Sequence, residues 1–165
     1  MFGIKSKIKK LIGIKSEVQK SELDILVEKG LTVGKTSLET IYSVEGIDHL
    51  FPWLITIGEN VIISADVRIL AHDASSANFC GYSKIGCVNI GNKVFIGTKT
   101  TILCGVTIGD NIIVGANSLV VNDLEGGWVY GGVPAKKIER ISDDISKKED
   151  DKSNTTYFFQ NFLYW

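Results

Sequence analysis

Residues 88–120 decide the fold of this chain, and they read VNIGNKVFIGTKTTILCGVTIGDNIIVGANSLV. Within them an apolar residue, often followed by glycine, recurs every six positions. These frame residues are Ile90, Ile96, Ile102, Ile108, Val114 and Val120. The residue two places before each of them is also small or aliphatic. A period of this length suits one short strand and one turn, so we expect strands to stack coil upon coil at about 4.8 Å.

The same frame continues upstream, and it breaks at one place. It runs from Val33 to Ile69, where only Glu39 and Glu45 occupy frame places without being apolar. The separation of Ile69 from Ile90 is not a multiple of six, so residues 73–89 are predicted to loop out of the coil. Inserted loops of repeat proteins tend to lie on the functional face, although a harmless surface excursion is the alternative.

Composition sets wide limits on function. The chain has 165 residues, 44% hydrophobic and 22% charged, with a net charge of −1, which is typical of one soluble globular domain without a field that favours nucleic acid. No apolar run approaches the roughly 20 residues that span a bilayer, and no signal peptide is recognisable. The cysteines are odd in number and lack CxxC spacing, so we expect neither a disulfide framework nor a Cys-ligated zinc, and a cytoplasmic location.

Three segments follow from these patterns. Residues 1–30 are predicted to form a helical segment, with a capping box at Ser21–Asp24 and a stop at Gly30. Residues 31–138 form the repeat domain, and residues 139–165 form a charged linker and an aromatic tail. The basic N-terminal residues read as a cap with a solvated lysine face, although a basic amphipathic helix can also touch anionic lipid. We do not expect a membrane contact.

The chain has two histidines, and they receive different interpretations. His72 lies at an outward place just before the insertion, and Asp73 follows it. A histidine beside a carboxylate that fixes its tautomer can act as a general base, whereas a lone surface histidine is usually only solvated. His49 falls at a core place of an irregular hexad beside Asp48, which indicates a structural role.

Taken together, three segments resemble the bacterial hexapeptide-repeat acetyltransferases, most closely the maltose/galactoside and capsular-polysaccharide O-acetyltransferases. They are FPWLITIGENVIISADVRILAHD (51–73), residues 88–120 and YGGVPAKKI (130–138), and the resemblance spans about residues 30–140. It implies an all-β solenoid, a left-handed parallel β-helix with the inserted loop, which departs from the usual right-handed crossover. It also implies a homotrimer with active sites between subunits.

The same resemblance implies an activity. Acetyl-CoA would donate an acetyl group directly to a saccharide hydroxyl, in surface polysaccharide biosynthesis, without an acyl-enzyme and without a metal. The catalytic histidine of the family corresponds to His72, with Asp73 as its neighbouring carboxylate. No cysteine or serine lies in a recognisable nucleophile motif, which agrees with direct transfer.

The resemblance also implies where coenzyme A binds. The pantetheine arm would lie near Phe95–Gly97 and Gly115–Asn117, with Phe95, Gly97, Gly115 and Ala116 as the candidate contacts. The nucleotide end would approach residues 132–137, where the candidates are Pro134, Lys136, Lys137 and also Arg140. Phe95 stands where Trp is frequent, which weakens the argument for stacking. Val133 stands where Asn is usual, so contacts by that Asn side chain do not carry over. A solvated turn is the alternative for the two lysines.

Three other functions are alternatives to the transfer of an acetyl group to a saccharide hydroxyl. Transfer to the amine of an amino sugar differs only in the acceptor, which the sequence does not specify. A zinc carbonic anhydrase on the same solenoid needs three histidines per site, and the presence of only two argues against it. A non-catalytic scaffold predicts no coenzyme binding and no effect of losing His72.

Overall fold

The computed structural model describes residues 20–142, so the predicted helix within residues 1–19 and the tail within 143–165 lie outside the described residues. The helices are α1 (Glu22–Glu28) and α2 (Ala77–Cys80). The strands are β1 (Thr32–Val33), β2 (Ile55–Ile57), β3 (Ile62–Ile63), β4 (Arg68–Ile69), β5 (His72–Asp73), β6 (Lys84–Ile85), β7 (Val88–Ile90), β8 (Val94–Ile96), β9 (Thr101–Ile102), β10 (Thr107–Ile108), β11 (Ile112–Val114), β12 (Leu119–Val120), β13 (Trp128–Gly131) and β14 (Lys136–Arg140).

The chain visits three sheets in a fixed order and then returns to the first. One sheet contains β1, β2, β7 and β10, the next contains β3, β8, β11, β13 and β14, and the third contains β4, β9 and β12. Apart from the antiparallel pair of β13 and β14, all pairs in these sheets are parallel, and frame residues face frame residues. The described chain is therefore a stack of parallel coils, as the six-residue period predicts.

The inward residues of successive coils form one core. Its largest fully buried members include Ile57, Ile63, Ile69, Ile96, Ile102 and Ile108. Two polar residues share the second inward place, Thr100 and Ser118, and both hydroxyls donate to the carbonyl of Gly115, at 3.1 and 2.6 Å. A buried hydroxyl that is hydrogen-bonded in this way avoids the cost of an unpaired polar group.

Part of the first coil is out of the predicted frame, although Val33 pairs with Ile57 as expected. Ile41 and Ile47 pair with the frame residues of the next coil, while Glu39 and Glu45 are exposed. The prediction that the phase breaks only once is therefore wrong. Short 3₁₀ turns that no hexad pattern specifies occur along this coil, at Lys35–Ser37, Val44–Gly46 and Pro52–Leu54.

The phase shift also corrects the prediction for His49. Its side chain is exposed rather than in the core, and its Nε2 lies 3.5 Å from Oε1 of Glu22 on α1. Asp48, one residue earlier, is the buried member of this stretch. A displaced frame turns His49 outward and Asp48 inward.

The inserted segment forms a small hairpin. β5 pairs antiparallel with β6, so His72 faces Ile85 and Asp73 faces Lys84 across the two strands. The chain rejoins the first sheet at β7, so its last predicted residues, 88–89, already belong to the coil. His72 is thus the first residue of the excursion.

At the two ends of the described chain, α1 and a β-hairpin pack against the stack of coils. Ser21 caps α1 through the predicted capping box, in which its Oγ accepts from the N–H of Asp24 at 3.1 Å and the Asp24 carboxylate accepts from Ser21. At the other end β13 and β14 form an antiparallel hairpin, so strand β14 extends past the predicted domain boundary at residue 138. Within residues 20–142, neither helix has the length and apolarity needed to cross a bilayer.

Close stacking of the coils requires glycine after some frame residues but not after others. A Cβ added to Gly97 would lie 2.5 Å from the backbone nitrogen of Ala116, whereas one added to Gly115 would approach nothing nearer than 3.4 Å. We expect Gly97→Ala to lower the free energy of unfolding by about 1–3 kcal/mol because backbone must move. Gly115→Ala, at the same place one coil later, is the matched control and should cost clearly less in urea denaturation. Equal losses in both variants would contradict this packing argument.

Candidate active site

His72 stands where the hairpin leaves the coil. Its side chain is 28% exposed, and the centre of its ring lies 5.4 Å from that of Phe51, a residue of the first coil. Phe51 in turn contacts Trp53 edge to face, at 5.5 Å between ring centres. One side of the imidazole is therefore packed, and the ring is only partly open to solvent.

A buried carboxylate holds one nitrogen of this ring. Oδ2 of Asp48 lies 2.5 Å from Nδ1 of His72, and the Asp48 side chain is 2% exposed. Three main-chain N–H groups also donate to the carboxylate. They belong to Ala71 at 3.0 Å on Oδ2, and to Leu50 and Phe51 at 2.9 and 3.2 Å on Oδ1.

The environment of Asp48 favours its charged form. Burial raises the pKa of the carboxyl, but the bond to His72 and the three backbone N–H groups outweigh it, so the pKa lies below its ordinary value. Asp48 is consequently an anion at neutral pH.

The coil geometry places this carboxylate. Ile47 pairs with Ile69, and the N–H of Asp48 donates to the carbonyl of Ile69 at 2.9 Å. Asp48 therefore lies directly over the corner where Ala71 and His72 leave the next coil.

Asp73, the carboxylate that sequence reasoning selected as the partner of His72, does not make this contact. Its Oδ1 accepts the N–H of Ser75 at 2.8 Å, and the same bond is the main reason that its pKa lies below the ordinary value. Successive residues of a strand point to opposite faces, so Asp73 cannot share the direction of His72. The prediction is corrected: Asp48 is the carboxylate bonded to the ring.

A cavity of about 280 Å³ opens beside His72. Its floor consists of Leu70, Leu103 and Val121, each of which follows a core residue of the third sheet in one of three successive coils. Cys104 is the other apolar lining residue, and the polar wall contains His72, Asp73 and Lys84. The cavity thus offers an apolar surface next to an imidazole ring.

The residues predicted for the pantetheine arm lie apart from this lining. Phe95 points outward from β8 and is 39% exposed. Gly97 packs against the backbone of Gly115 and Ala116, so these three form one closely stacked corner. They lie along the second sheet, whereas His72 lies at the corner where the chain leaves the third sheet.

The predicted phosphate cations differ from each other in surroundings. Pro134 and Lys136 are exposed. Nζ of Lys137 lies 2.5 Å from Oε2 of Glu125 and 4.4 Å from the centre of the Trp128 ring. The Lys137 bond also keeps the pKa of Glu125 below its usual range.

Arg140 takes part in the same cluster, because its guanidinium carbon lies 4.5 Å from the Trp128 ring. Sequence reasoning did not identify Glu125 or Trp128 as partners of these cations, since neither belongs to the GVPAKK motif. Lys136 is the cation of that motif without such an ion pair in the part of the chain described.

A larger cavity, of about 620 Å³, lies at the corner between the second and third sheets. Its lining includes Tyr42, Glu45, Asp66, Arg68 and Lys99 but no histidine or cysteine. Size alone therefore does not identify the site, and the smaller cavity holds the candidate base. Among residues 20–142, no cluster of three or more His, Cys, Asp or Glu side chains could bind a metal ion.

Comparison with known proteins gives consistent results. The chain is 43% identical over 106 residues to the putative acetyltransferase YvoF of Bacillus subtilis, covering 62% of this chain and 59% of that protein. It is 33% identical over 135 residues to a probable macrolide acetyltransferase of Lysinibacillus sphaericus, covering 67% of this chain and 74% of the relative.

A solved structure of galactoside acetyltransferase in complex with coenzyme A matches 90% of this chain and 78% of its own, with 26% identity and a TM-score of 0.59. No protein-family model matches the chain. The chain spans about half the length of the first curated relatives that it matches.

The lowered pKa of Asp48 makes a prediction about acid stability. An ionised group with a depressed folded pKa contributes stability above the ordinary value of 3.8, and this contribution is lost as the pH falls through the folded pKa. Asp48→Asn should therefore melt below the wild type at pH 7, and the gap should narrow as the pH falls from about 4.

Melting temperatures measured between pH 7 and pH 2.5 test this expectation. Asp66→Asn, which changes an exposed turn residue with a left-handed backbone that asparagine tolerates, is the control and should melt close to the wild type at pH 7. A gap between wild type and Asp48→Asn that stays constant down to the lowest pH would contradict the linkage.

Proposed function

This chain belongs to the hexapeptide-repeat acetyltransferases, and we propose that it moves an acetyl group from acetyl-CoA to a hydroxyl of a saccharide, with His72 as the general base. The observation that carries the proposal is the position of His72 at the wall of a cavity with an apolar floor, with one ring nitrogen already bonded. The other nitrogen is then available to an incoming hydroxyl. His72 lines this cavity, whereas His49 lines neither of the two cavities described above.

The reaction needs a single proton to be held and returned. His72 accepts the proton of the acceptor hydroxyl through Nε2 while the hydroxyl oxygen forms its bond to the acetyl carbon. The bond between that carbon and the sulfur of coenzyme A then breaks, and the imidazolium returns the proton to the leaving thiolate. General-base catalysis of this kind contributes typically about 10²–10⁴-fold.

In this scheme the cavity contributes to the rate enhancement in two further ways. Side chains from three coils, Leu70, Leu103 and Val121, exclude water from one side of the reacting atoms. Alignment of two bound substrates converts a bimolecular encounter into an effectively unimolecular step. No covalent acyl-enzyme is required, because both substrates can occupy the site together.

Several surface features support the coenzyme part of the proposal. The exposed ring of Phe95 and the close-packed corner at Gly97, Gly115 and Ala116 offer an apolar edge without bulky side chains for the pantetheine arm. Lys136 is exposed and offers its charge to phosphate, whereas Lys137 already pairs with Glu125. The galactoside acetyltransferase structure that contains coenzyme A supports the same donor.

The proposal also covers the oligomeric state of the protein, its biological role and its location in the cell. Family membership supports a left-handed β-helix and a homotrimer in which each active site lies between subunits. The resemblance to polysaccharide-modifying enzymes supports a role in surface polysaccharide biosynthesis. The three cysteines are free thiols, which is consistent with work in the reducing cytoplasm.

Replacement of the proposed base is the direct test. His72→Ala should lower kcat by about 10²-fold or more, because the hydroxyl loses the group that accepts its proton, while binding of acetyl-CoA changes little. The measurement is the release of free thiol from acetyl-CoA in the presence of a panel of saccharides.

The matched control is His49→Ala, which removes the second histidine, an exposed residue paired with Glu22. It should retain near wild-type turnover. A His72→Ala variant within threefold of wild type would overturn the role of His72. Turnover only with amino sugars, and at their amine, would replace the hydroxyl acceptor with the alternative one.

A further inference from the structure

We propose that Lys84 selects the acceptor of this site, and that the acceptor is a saccharide that carries an anionic group. The inference rests on the proposed function, because transfer to a saccharide at His72 is what brings an acceptor into this cavity. Lys84 lies on β6 of the inserted hairpin and lines the same cavity as His72. Of the described residues in that lining, Lys84 is the one with a permanent positive charge.

The position of Lys84 leaves its ammonium group available to a ligand. Lys84 pairs with Asp73 across the hairpin, and residues directly opposite each other in an antiparallel pair place their side chains on the same face. The side chain of Lys84 is exposed. Within residues 20–142, no ion pair joins Lys84 to a carboxylate, that of Asp73 included. Its charge is therefore not neutralised by direct contact there.

Asp73 is the nearby negative charge, and it is bonded elsewhere. Its Oδ1 accepts the N–H of Ser75 at 2.8 Å. The bonds from Ser75 are the main reason that the pKa of Asp73 lies below its ordinary value, and the charge of Lys84 adds a smaller effect. An anion that enters the cavity is attracted by Lys84 and repelled by Asp73. Replacement of either residue should therefore change the preference for anions in opposite directions.

The other lining residues and the coenzyme point to the acceptor as the source of the anion. The floor residues Leu70, Leu103 and Val121 offer a charged group no partner, so an anion in this cavity would lie at the wall that contains Lys84. The phosphates of coenzyme A are separated from its thioester by the whole pantetheine arm. They consequently lie outside this cavity when the acetyl group is beside His72.

The chemistry of lysine defines the class of acceptor. Its ammonium group is a compact charge with three donors, which pairs with a carboxylate or a phosphate without the fixed geometry that arginine imposes. A sugar acid and a phosphorylated sugar therefore both suit Lys84, and a neutral hexose does not. Because this pairing is remote from the bond that forms, it should be equally strong in the ground state and the transition state, and so act on KM rather than on kcat.

Acceptor pairs that differ in one charged group provide the test. The pairs are galacturonate with galactose, glucuronate with glucose, and galactose 6-phosphate with galactose. At low ionic strength the wild type should favour the anionic member of at least one pair by about tenfold in kcat/KM, and added salt should reduce this ratio. Lys84→Gln should abolish the preference by raising KM for the anionic sugar alone. Asp73→Asn should increase the preference.

Two further variants serve as controls. Lys84→Arg keeps the charge and should keep the preference. Lys29→Gln removes an exposed lysine at the end of α1 that lines neither cavity, and it should leave the ratio unchanged. In both Lys84 variants KM for acetyl-CoA should stay within about twofold of the wild-type value.

The outcomes separate this inference from the proposed function. Equal kcat/KM for anionic and neutral sugars in the wild type, or an unchanged ratio in Lys84→Gln, would overturn the role of Lys84. So would a raised KM for acetyl-CoA in Lys84→Gln with the acceptor ratio unchanged, because the lysine would then serve the coenzyme. If no sugar is acetylated, the proposed function fails, and saturation-transfer NMR of galacturonate and galactose then tests Lys84 by binding alone. Binding of galacturonate that Lys84→Gln abolishes would support the role, and its absence from the wild type would overturn it.

Discussion

Hydrogen bonds from one coil to the next are the interaction on which the rest of this structure depends. The N–H of the glycine that follows a frame residue donates to the frame carbonyl of the next coil, as in Gly58 to Ile90 and Gly91 to Ile108, both at 2.8 Å. A Cβ on Gly58 would lie 2.6 Å from the carbonyl oxygen of Gly91, so the residue after the frame must be small for these coils to meet. This contact explains why small residues recur after frame residues in the sequence repeat.

Stacking at that spacing also builds the proposed active site. Asp48 lies on the first coil, His72 leaves the second, and Leu103 and Val121 follow core positions of the next two. No pair of these residues is close in sequence, and their separation in space is fixed by the coil spacing rather than by loops. A partly exposed imidazole thereby acquires a buried anion on one side and an apolar floor on the other.

Sequence reasoning could recover whatever the period specifies. The parallel coils, the position of the excursion and the location of His72 at its start all follow from counting six-residue steps. The first coil could not be recovered, because its 3₁₀ turns shift Ile41 and Ile47 into the frame. Asp48 was missed because its partner, His72, lies on another coil. The neighbour of His72 in the sequence, Asp73, was chosen instead. The pairing of Lys137 with Glu125 likewise depends on a turn that no motif encodes.

Binding of acetyl-CoA is the most direct test of the claim that this stack is an acetyltransferase, because it requires no knowledge of the acceptor. A thermal-melt titration of the purified protein with acetyl-CoA and with coenzyme A should give a saturable rise in melting temperature. At 100 times the dissociation constant, the ligand adds about 2.7 kcal/mol to the free energy of unfolding. Sodium sulfate at matched ionic strength should give no such saturable rise. A melting temperature that does not respond to either ligand at millimolar concentration would contradict the account and favour a non-catalytic coil.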